Sequence, residues 1–197
     1  MIRASAHTGA ERVVWYRGES RDEEDHVDAL EAICLRRSIR QFEQRAVPDD
    51  IVATLLKAAM AAPSAFNEQP WQFVVVRDQA TRESLSHVSE YAGPMARADV
   101  GIVVCGERAR LRFPDSVYWI FDCSSAMQNV LIAATSLGLG SVWLGIHPWP
   151  ERTAMVRQIL TLPDEVEPLG MAAIGWPAET KGPGNRFDSS RVHQERW

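Results

Sequence analysis

The chain has 197 residues, 46% of them hydrophobic, and a formal charge of −5. That length fits one domain, or one domain with an extension, and holds enough apolar side chains for a sizeable core. The acidic balance argues against a nucleic-acid binder, which carries a basic face.

Cys34, Cys105 and Cys123 lie far apart and form no C-x-x-C pair. Neither a zinc knuckle nor a dithiol redox motif is indicated, and so sparse a set points to reduced thiols in the cytoplasm. Residues 1–25 carry charges throughout and no apolar run, unlike a signal peptide. The longest apolar stretch, residues 117–144, is interrupted by Asp122, Gln128 and Asn129, too polar for a membrane span. A soluble protein is expected.

Residues 1–22 show no clear period and are expected to form a flexible arm. A helix is expected from about Glu23, because Val27, Leu30, Ile33 and Cys34 recur at three-to-four spacing on one face, and it should stop near Arg36-Arg37. Val47-Pro48-Asp49-Asp50 reads as the start of a second helix with an aspartate as N-cap. Ile51, Leu55, Leu56 and Ala59 supply its buried side and Pro63 ends it. Residues 71–76 form an apolar, β-branched run and predict a buried strand, with Trp71 and Phe73 as core residues. A helix over 79–88 follows, then a strand over 100–105, a loop with Pro114 and a long helix over 116–137 closed by Gly138. Short strands over 141–145 and 169–174 flank a helix over 150–160, and the tail from Ala178 looks extended. This alternation predicts a layered α+β or α/β domain around one sheet.

The long helix is apolar on more than one stripe, through Tyr118, Trp119, Phe121, Ala126, Met127, Val130, Leu131, Ala133 and Ala134. Such a helix is buried on all sides, either as the core helix of a monomer or at a subunit interface, for which a homodimer is the commonest solution.

Arg36, Arg37, Ser38 and Arg40 concentrate guanidinium groups, natural partners of phosphate because their planar forks give paired charge-assisted hydrogen bonds. The plain alternative is a solvated helix end whose charges offset Glu43 and Asp49. Downstream, the turn Pro63-Ser64-Ala65-Phe66-Asn67-Glu68-Gln69-Pro70 offers hydroxyl and amide groups suited to a polar ligand edge. Together the two segments could hold opposite ends of one phosphorylated, ring-bearing cofactor. Arg186 in the tail is either a further phosphate clamp or a surface charge.

Other motifs fail. Gly138-Leu139-Gly140-Ser141-Val142-Trp143 has Trp143 where a dinucleotide fingerprint needs glycine or alanine, and it follows a helix rather than a strand. There is no phosphate loop of the G-x-x-x-x-G-K type, and Ser141 lies in no nucleophile elbow. The five histidines lack metal-ligand spacing, so no metal is expected. His147 reads as a capping or pocket-facing residue. Cys123 is either an activated thiol or a small buried residue.

The segments Arg36–Arg40 and Pro63–Trp71 resemble the FMN-dependent nitroreductase family. So do Asp122-Cys123-Ser124-Ser125-Ala126-Met127-Gln128-Asn129, Gly138–Ser141, Leu162-Pro163, residues 169–175 and a late tail arginine, in the family's order from about Asp28 to the C-terminus. The resemblance implies an α+β nitroreductase-like sandwich over 23–197, with a central mixed sheet flanked by helices, formed as an intertwined homodimer that binds FMN in clefts between subunits. Arg36, Arg37, Ser38 and Arg40 would then hold the phosphate and ribityl chain, with Arg186 as a second clamp. Pro63, Ser64, Ala65, Asn67 and Gln69 would approach the flavin from the partner. Trp143, Leu144 and Gly145 would lie along the ring, where glycine permits close approach.

The chemistry so implied is the cofactor's, with NADH or NADPH as donor and nitroaromatics, quinones or similar electron-poor acceptors reduced in a ping-pong cycle. No catalytic side chain is assigned. The segment 107–116, which often covers the cleft in this family, is short here, leaving the cleft open or gated by another element such as the N-terminal arm. Three rivals stand beside this reading: a specialised flavin enzyme of the same fold, for example a reductive dehalogenase, a non-enzymatic flavin-binding dimer, and a structural dimer without cofactor.

Overall fold

The computed structural model describes residues 28–184 and 186–197. The expected arm, and the expected helix start at Glu23 with Val27, lie outside them. The first described helix is α1, Ala29–Leu35, whose N-cap Asp28 accepts the Leu30 N–H. Of this short helix only Ala32 is buried. The face predicted to be apolar, Leu30, Ile33 and Cys34, is instead exposed on the single chain.

Helix α2 spans Asp49–Met60 and buries Ile51, Val52, Leu55 and Ala59. Its N-cap is Pro48 and not an aspartate. Asp49 and Asp50 occupy the first turn, where their charge favours the positive end of the helix dipole. The long helix α5, Tyr118–Ser136, ends at Gly138 with φ +73°. There the Leu139 N–H returns to the Ala134 carbonyl (2.8 Å) and the Gly138 N–H to Thr135 (3.1 Å), a closure that needs the left-handed conformation glycine supplies.

The sheet contains β1 (Trp71–Val76), β2 (Val100–Glu107), β3 (Gly140–Gly145) and β4 (Val166–Gly175) in the order β1-β2-β4-β3. Among the described residues all three ladders are antiparallel, and the parallel component is one isolated bridge between Ser38 and Ser141. Helices cover both faces. Ile102, Val104, Ala172 and Ile174 point to the layer of α2 and α5. Val103, Cys105, Met171 and Ala173 point to the opposite cluster, which includes Leu85 of α3 (Gln79–Ser86), Met95 of α4 (Pro94–Arg97) and Val156 of α6 (Pro150–Leu160). Burial on both faces explains the unbroken apolar runs, despite antiparallel pairing.

Strand β4 begins three residues earlier than the sequence suggests, and contains Pro168. Pro168 pairs with Cys105 beside a register shift between Val104 and Cys105, an irregularity where a residue without an N–H is tolerated. Among the described residues no helix is long and apolar enough to cross a membrane.

Candidate functional site

The predicted site residues fall into two groups. The first is built where α1 ends. Ser38 pairs with Ser141, and the Ile39 N–H donates to the Ser141 carbonyl at 3.0 Å, laying the arginine segment along the outer edge of β3. The tail then folds back over this segment. Phe42 bridges to Pro177, and the Ala178 N–H reaches the Gln41 carbonyl at 3.0 Å.

Glu179 Oε1 accepts from the Arg40 N–H (2.5 Å), the Gln41 N–H (3.3 Å) and Lys181 Nζ (3.1 Å). The first two of these donors are backbone groups of the arginine segment, and together the three contacts hold the Glu179 carboxyl below the usual glutamate range. Lys181 Nζ also donates to the Ser38 carbonyl at 2.6 Å, and Arg37 Nη1 donates to the Gly182 carbonyl at 2.6 Å.

This fold-back delivers Arg186. A Cβ built on Gly184 would lie 3.6 Å from Arg186 Nε and 3.7 Å from Arg37 Nη1, so both guanidinium groups border the same small space. Burial first, and then the like charges of Arg186 and Arg37, lower the pKa of Arg36. Among the described residues none of the three is ion-paired with a carboxylate. Three crowded cations with no carboxylate partner among the described residues have the chemistry an anion needs. Arg40 stands apart: its Nη1 turns back to the Ser38 carbonyl at 3.3 Å and its own carbonyl is held by Arg97 Nε at 3.2 Å.

From this corner β3 runs along the sheet edge. Because the Ser141 carbonyl faces outward, the two-residue alternation turns the backbone groups of Trp143 and Gly145 outward too. The Trp143 indole lies over Gly170 of β4, where an added Cβ would sit 2.5 Å from its Nε1. The Leu144 side chain is buried on the other face, in the cluster of Leu85 and Val156. By the same alternation its backbone groups face β4, so Leu144 offers the open edge neither side chain nor hydrogen-bonding backbone. Gly145 is exposed, with nothing within 4 Å of an added Cβ, and its carbonyl accepts from Arg152 Nη1 at 3.0 Å.

The second group is the turn before β1. The Ala65 N–H donates to Asp122 Oδ1 at 2.9 Å, and Asn129 Nδ2 donates to the Ala58 carbonyl at 2.9 Å, so α5 fixes both the turn and the helix that enters it. The Gln69 N–H reaches Ser64 Oγ (3.0 Å), and Gln69 Nε2 reaches Asn67 Oδ1 (2.9 Å). Phe66, Asn67 and Gln69 all have positive φ (+54°, +56° and +50°), a conformation that costs non-glycine residues energy and tends to gather at functional turns. Pro63 is exposed at the head of the turn.

The two groups are far apart within one chain. β1 and β3 are the two edges of the sheet, three inter-strand steps or roughly 14 Å apart. The turn is tied to Asp122 near the start of α5, whereas Ser38 meets the strand that follows its end, about 20 Å further along the helix axis.

Sequence reasoning missed Lys181, Glu179 and Asp122 as positioning groups. Lys181 and Glu179 look like ordinary tail charges, and only the fold-back reveals their targets. Asp122 carried a signal, being an acid within an otherwise apolar helix face. The two buried thiols are held in the protonated form: burial pushes Cys105 up to about 12 and raises Cys123 as well, so Cys123 is a small core residue. His147 packs edge-on against Trp119, ring centroids 5.0 Å apart.

A helix-covered antiparallel sheet, with a basic corner at one edge and a strained polar turn at the other, makes this a layered α+β domain. The profile of the Nitroreductase family matches residues 33–98 and 86–176, and the chain belongs to that family. It is 42% identical over 171 residues to a Methanothermobacter thermautotrophicus protein provisionally named NADH dehydrogenase/NAD(P)H nitroreductase, covering 87% of this chain and 88% of that one. It is 31% identical over 176 residues to the oxygen-insensitive NADPH nitroreductase of Salmonella typhimurium, covering 84% of this chain and 72% of the relative. A provisionally named nitroreductase of Desulfovibrio desulfuricans, solved in complex with FMN, superposes with a TM-score of 0.74 at 31% identity, over 86% of this chain and 97% of that structure.

Proposed function

We propose that this chain is a cytoplasmic FMN-dependent NAD(P)H oxidoreductase that works as a homodimer and passes electrons, in ping-pong order, to nitroaromatics, quinones or similar electron-poor acceptors. The observation that carries this reading is the crowding of Arg36, Arg37 and Arg186 without an acidic partner among the described residues. A phosphate monoester, with its charge and several acceptor oxygens, fits those donors better than any single carboxylate. FMN, when bound, supplies redox chemistry between a reduced nicotinamide and an acceptor.

The chain's own part is to hold and orient. Arg36, Arg37 and Arg186 take the phosphate, and Lys181 and Glu179 fix the backbone of Ser38 and Arg40 beside it. The outward backbone of Trp143 and Gly145 forms a ledge for the ring, and the open space at Gly145 leaves room for close approach. Ser64, Asn67 and Gln69 suit the ring's polar edge. Their distance from the arginine corner favours supply of this turn by the second copy. The exposed apolar face of α1, Leu30 (74%), Ile33 (50%) and Leu35 (38%), is what such a copy would cover.

The test is cofactor extraction from the purified protein, followed by anaerobic reduction with NADH or NADPH and reoxidation by a nitroaromatic or a quinone. A yellow protein that bleaches with the nicotinamide and recovers with the acceptor meets the expectation. A colourless monomer indifferent to added FMN overturns it.

A further inference from the structure

Three large rings stand at the surface near the strained turn: Phe66 is 61% exposed, Phe113 50% and Tyr118 44%. They are nevertheless arranged around one another. The Phe66 ring centroid is 5.8 Å from that of Phe113, at an interplanar angle of 57°, and 6.2 Å from that of Tyr118, at 80°. Phe66 is held in the left-handed region at φ +54° while its neighbour Ala65 is tied to Asp122. An apolar side chain kept outward in a costly backbone conformation calls for a partner.

Arg112 lies beside these rings. Its backbone N–H donates to Glu68 Oε1 at 2.8 Å, joining the loop before α5 to the turn before β1. Its guanidinium carbon is 5.8 Å from the Phe66 centroid and 6.0 Å from the Phe113 centroid, the outer limit of cation–π contact. The other two arginines of the loop are engaged. Arg108 donates to the Pro114 carbonyl (2.9 Å) and approaches Asp115 (3.4 Å), and Arg110 pairs with Glu107 (3.3 Å). Among the described residues the Arg112 guanidinium carries no ion pair. Glu68 is the acid facing it, and the Arg112 backbone already occupies one of its oxygens.

We propose that Phe66, Phe113, Tyr118 and Arg112 form an acceptor subsite that selects aromatic molecules carrying an anionic substituent. The rings provide a stacking surface for a planar acceptor, and the planar donor fork of Arg112 matches a carboxylate or sulfonate on it. A subunit face is a poorer occupant, because it would bury a guanidinium that has no carboxylate partner among the described residues. The uncharged side chains of Leu30, Ile33 and Leu35 suit that role better. The inference rests on the oxidoreductase reading only in calling the bound molecule an acceptor.

The experiment is equilibrium titration of the purified holoprotein with 4-nitrobenzoate and with its neutral isostere 4-nitrobenzamide, read by protein and flavin fluorescence. The carboxylate binds about tenfold more tightly, the scale of a charge-assisted hydrogen-bond pair. Arg112→Gln brings the ratio of the two dissociation constants to near one, while Arg110→Gln keeps it. A variant that merely loosens the fold weakens both ligands and leaves the ratio intact. Should Arg112→Gln fail to fold, added salt serves on the wild type, because the preference must shrink as ionic strength rises.

A wild-type ratio near one, a ratio that survives Arg112→Gln, or one indifferent to salt overturns the proposal. Turnover of 4-nitrobenzamide with a reduced nicotinamide reports separately on the parent reading. Turnover without a carboxylate preference removes this inference alone, and a preference without turnover removes the parent activity and leaves the subsite.

Discussion

The Ala65 backbone N–H donates to Oδ1 of Asp122 at 2.9 Å, while the second oxygen of that carboxyl, Oδ2, is buried with no partner among the described residues. One oxygen thus pins the turn that enters β1, and the other is a cost of keeping an acid in α5.

Burial raises the pKa of Asp122 against the opposing effect of the Ala65 hydrogen bond, with the charge of Glu68 adding to the rise. A raised folded-state pKa favours the fold most when the group is protonated. Its contribution is therefore full below the unfolded value of about 3.9 and is lost as pH rises through the higher folded value. Asp122→Asn keeps an acceptor for Ala65 and removes the titration. Urea midpoints from pH 4 upward should show wild-type stability falling relative to Asp122→Asn as pH rises, and a difference growing the other way would refute the account. Asp122→Ala removes the tie itself, at a cost of about 1–3 kcal/mol for the stranded Ala65 N–H.

Arg37 shares the space at Gly184 with Arg186 and holds the Gly182 carbonyl at 2.6 Å. Arg37→Ala removes both a phosphate donor and a tether of the tail. FMN affinity should fall by about 1.5–3 kcal/mol, the usual worth of a hydrogen bond to a charged group. Flavin-to-protein absorbance after gel filtration measures this directly. Unchanged cofactor content would show that the anion corner is something other than the phosphate site.

Much of this was legible in the chain because local rules and tertiary packing agree. β1 is found at Trp71–Val76 and α6 at Pro150–Leu160, and Gly138 closes α5 as its position after an apolar helix requires. What escaped were features set by distant partners. Strand order and antiparallel pairing cannot be read from runs such as Val100–Cys105, which look alike whether a doubly covered sheet is parallel or antiparallel. Lys181 and Glu179 gain meaning only when the tail folds onto Ser38 and Arg40, more than 130 residues away. The repeat in α1 does not coincide with burial on the single chain, where Leu30, Ile33 and Leu35 are exposed and Ala32 alone is buried in the helix.

Two glycines separate packing from ligand approach. At Gly170 an added Cβ would meet Trp143 Nε1 at 2.5 Å and the Leu144 carbonyl at 3.0 Å, the second of which is backbone and cannot swing aside. Gly170→Ala should therefore cost about 1–3 kcal/mol of stability, as overpacked sites do. At Gly145 the added atom meets nothing within 4 Å and φ is ordinary, so Gly145→Ala should unfold within about 0.5 kcal/mol of wild type. If the flavin ring lies along this backbone, the same variant retains less FMN. Equal retention at equal stability would move the ring away from β3.

The exposed side chains of α1 carry the last prediction. Leu30, Ile33 and Leu35 stand on a helix of seven residues, too short to be stable by itself and buried only at Ala32. Covering that face with a second copy would stabilise the helix and, with it, the adjoining Arg36 and Arg37. Ile33→Asp places an unpaired charge where the partner would pack, which costs an interface several kcal/mol. Sedimentation velocity should show a dimer for the wild type and a monomer for Ile33→Asp. FMN content should fall in parallel, because the Ser64–Gln69 turn and the arginine corner lie too far apart on one chain to grip the same molecule. A monomeric variant that still holds its full complement of flavin would mean that one protomer completes the site, and the division of the cofactor between two copies would be wrong.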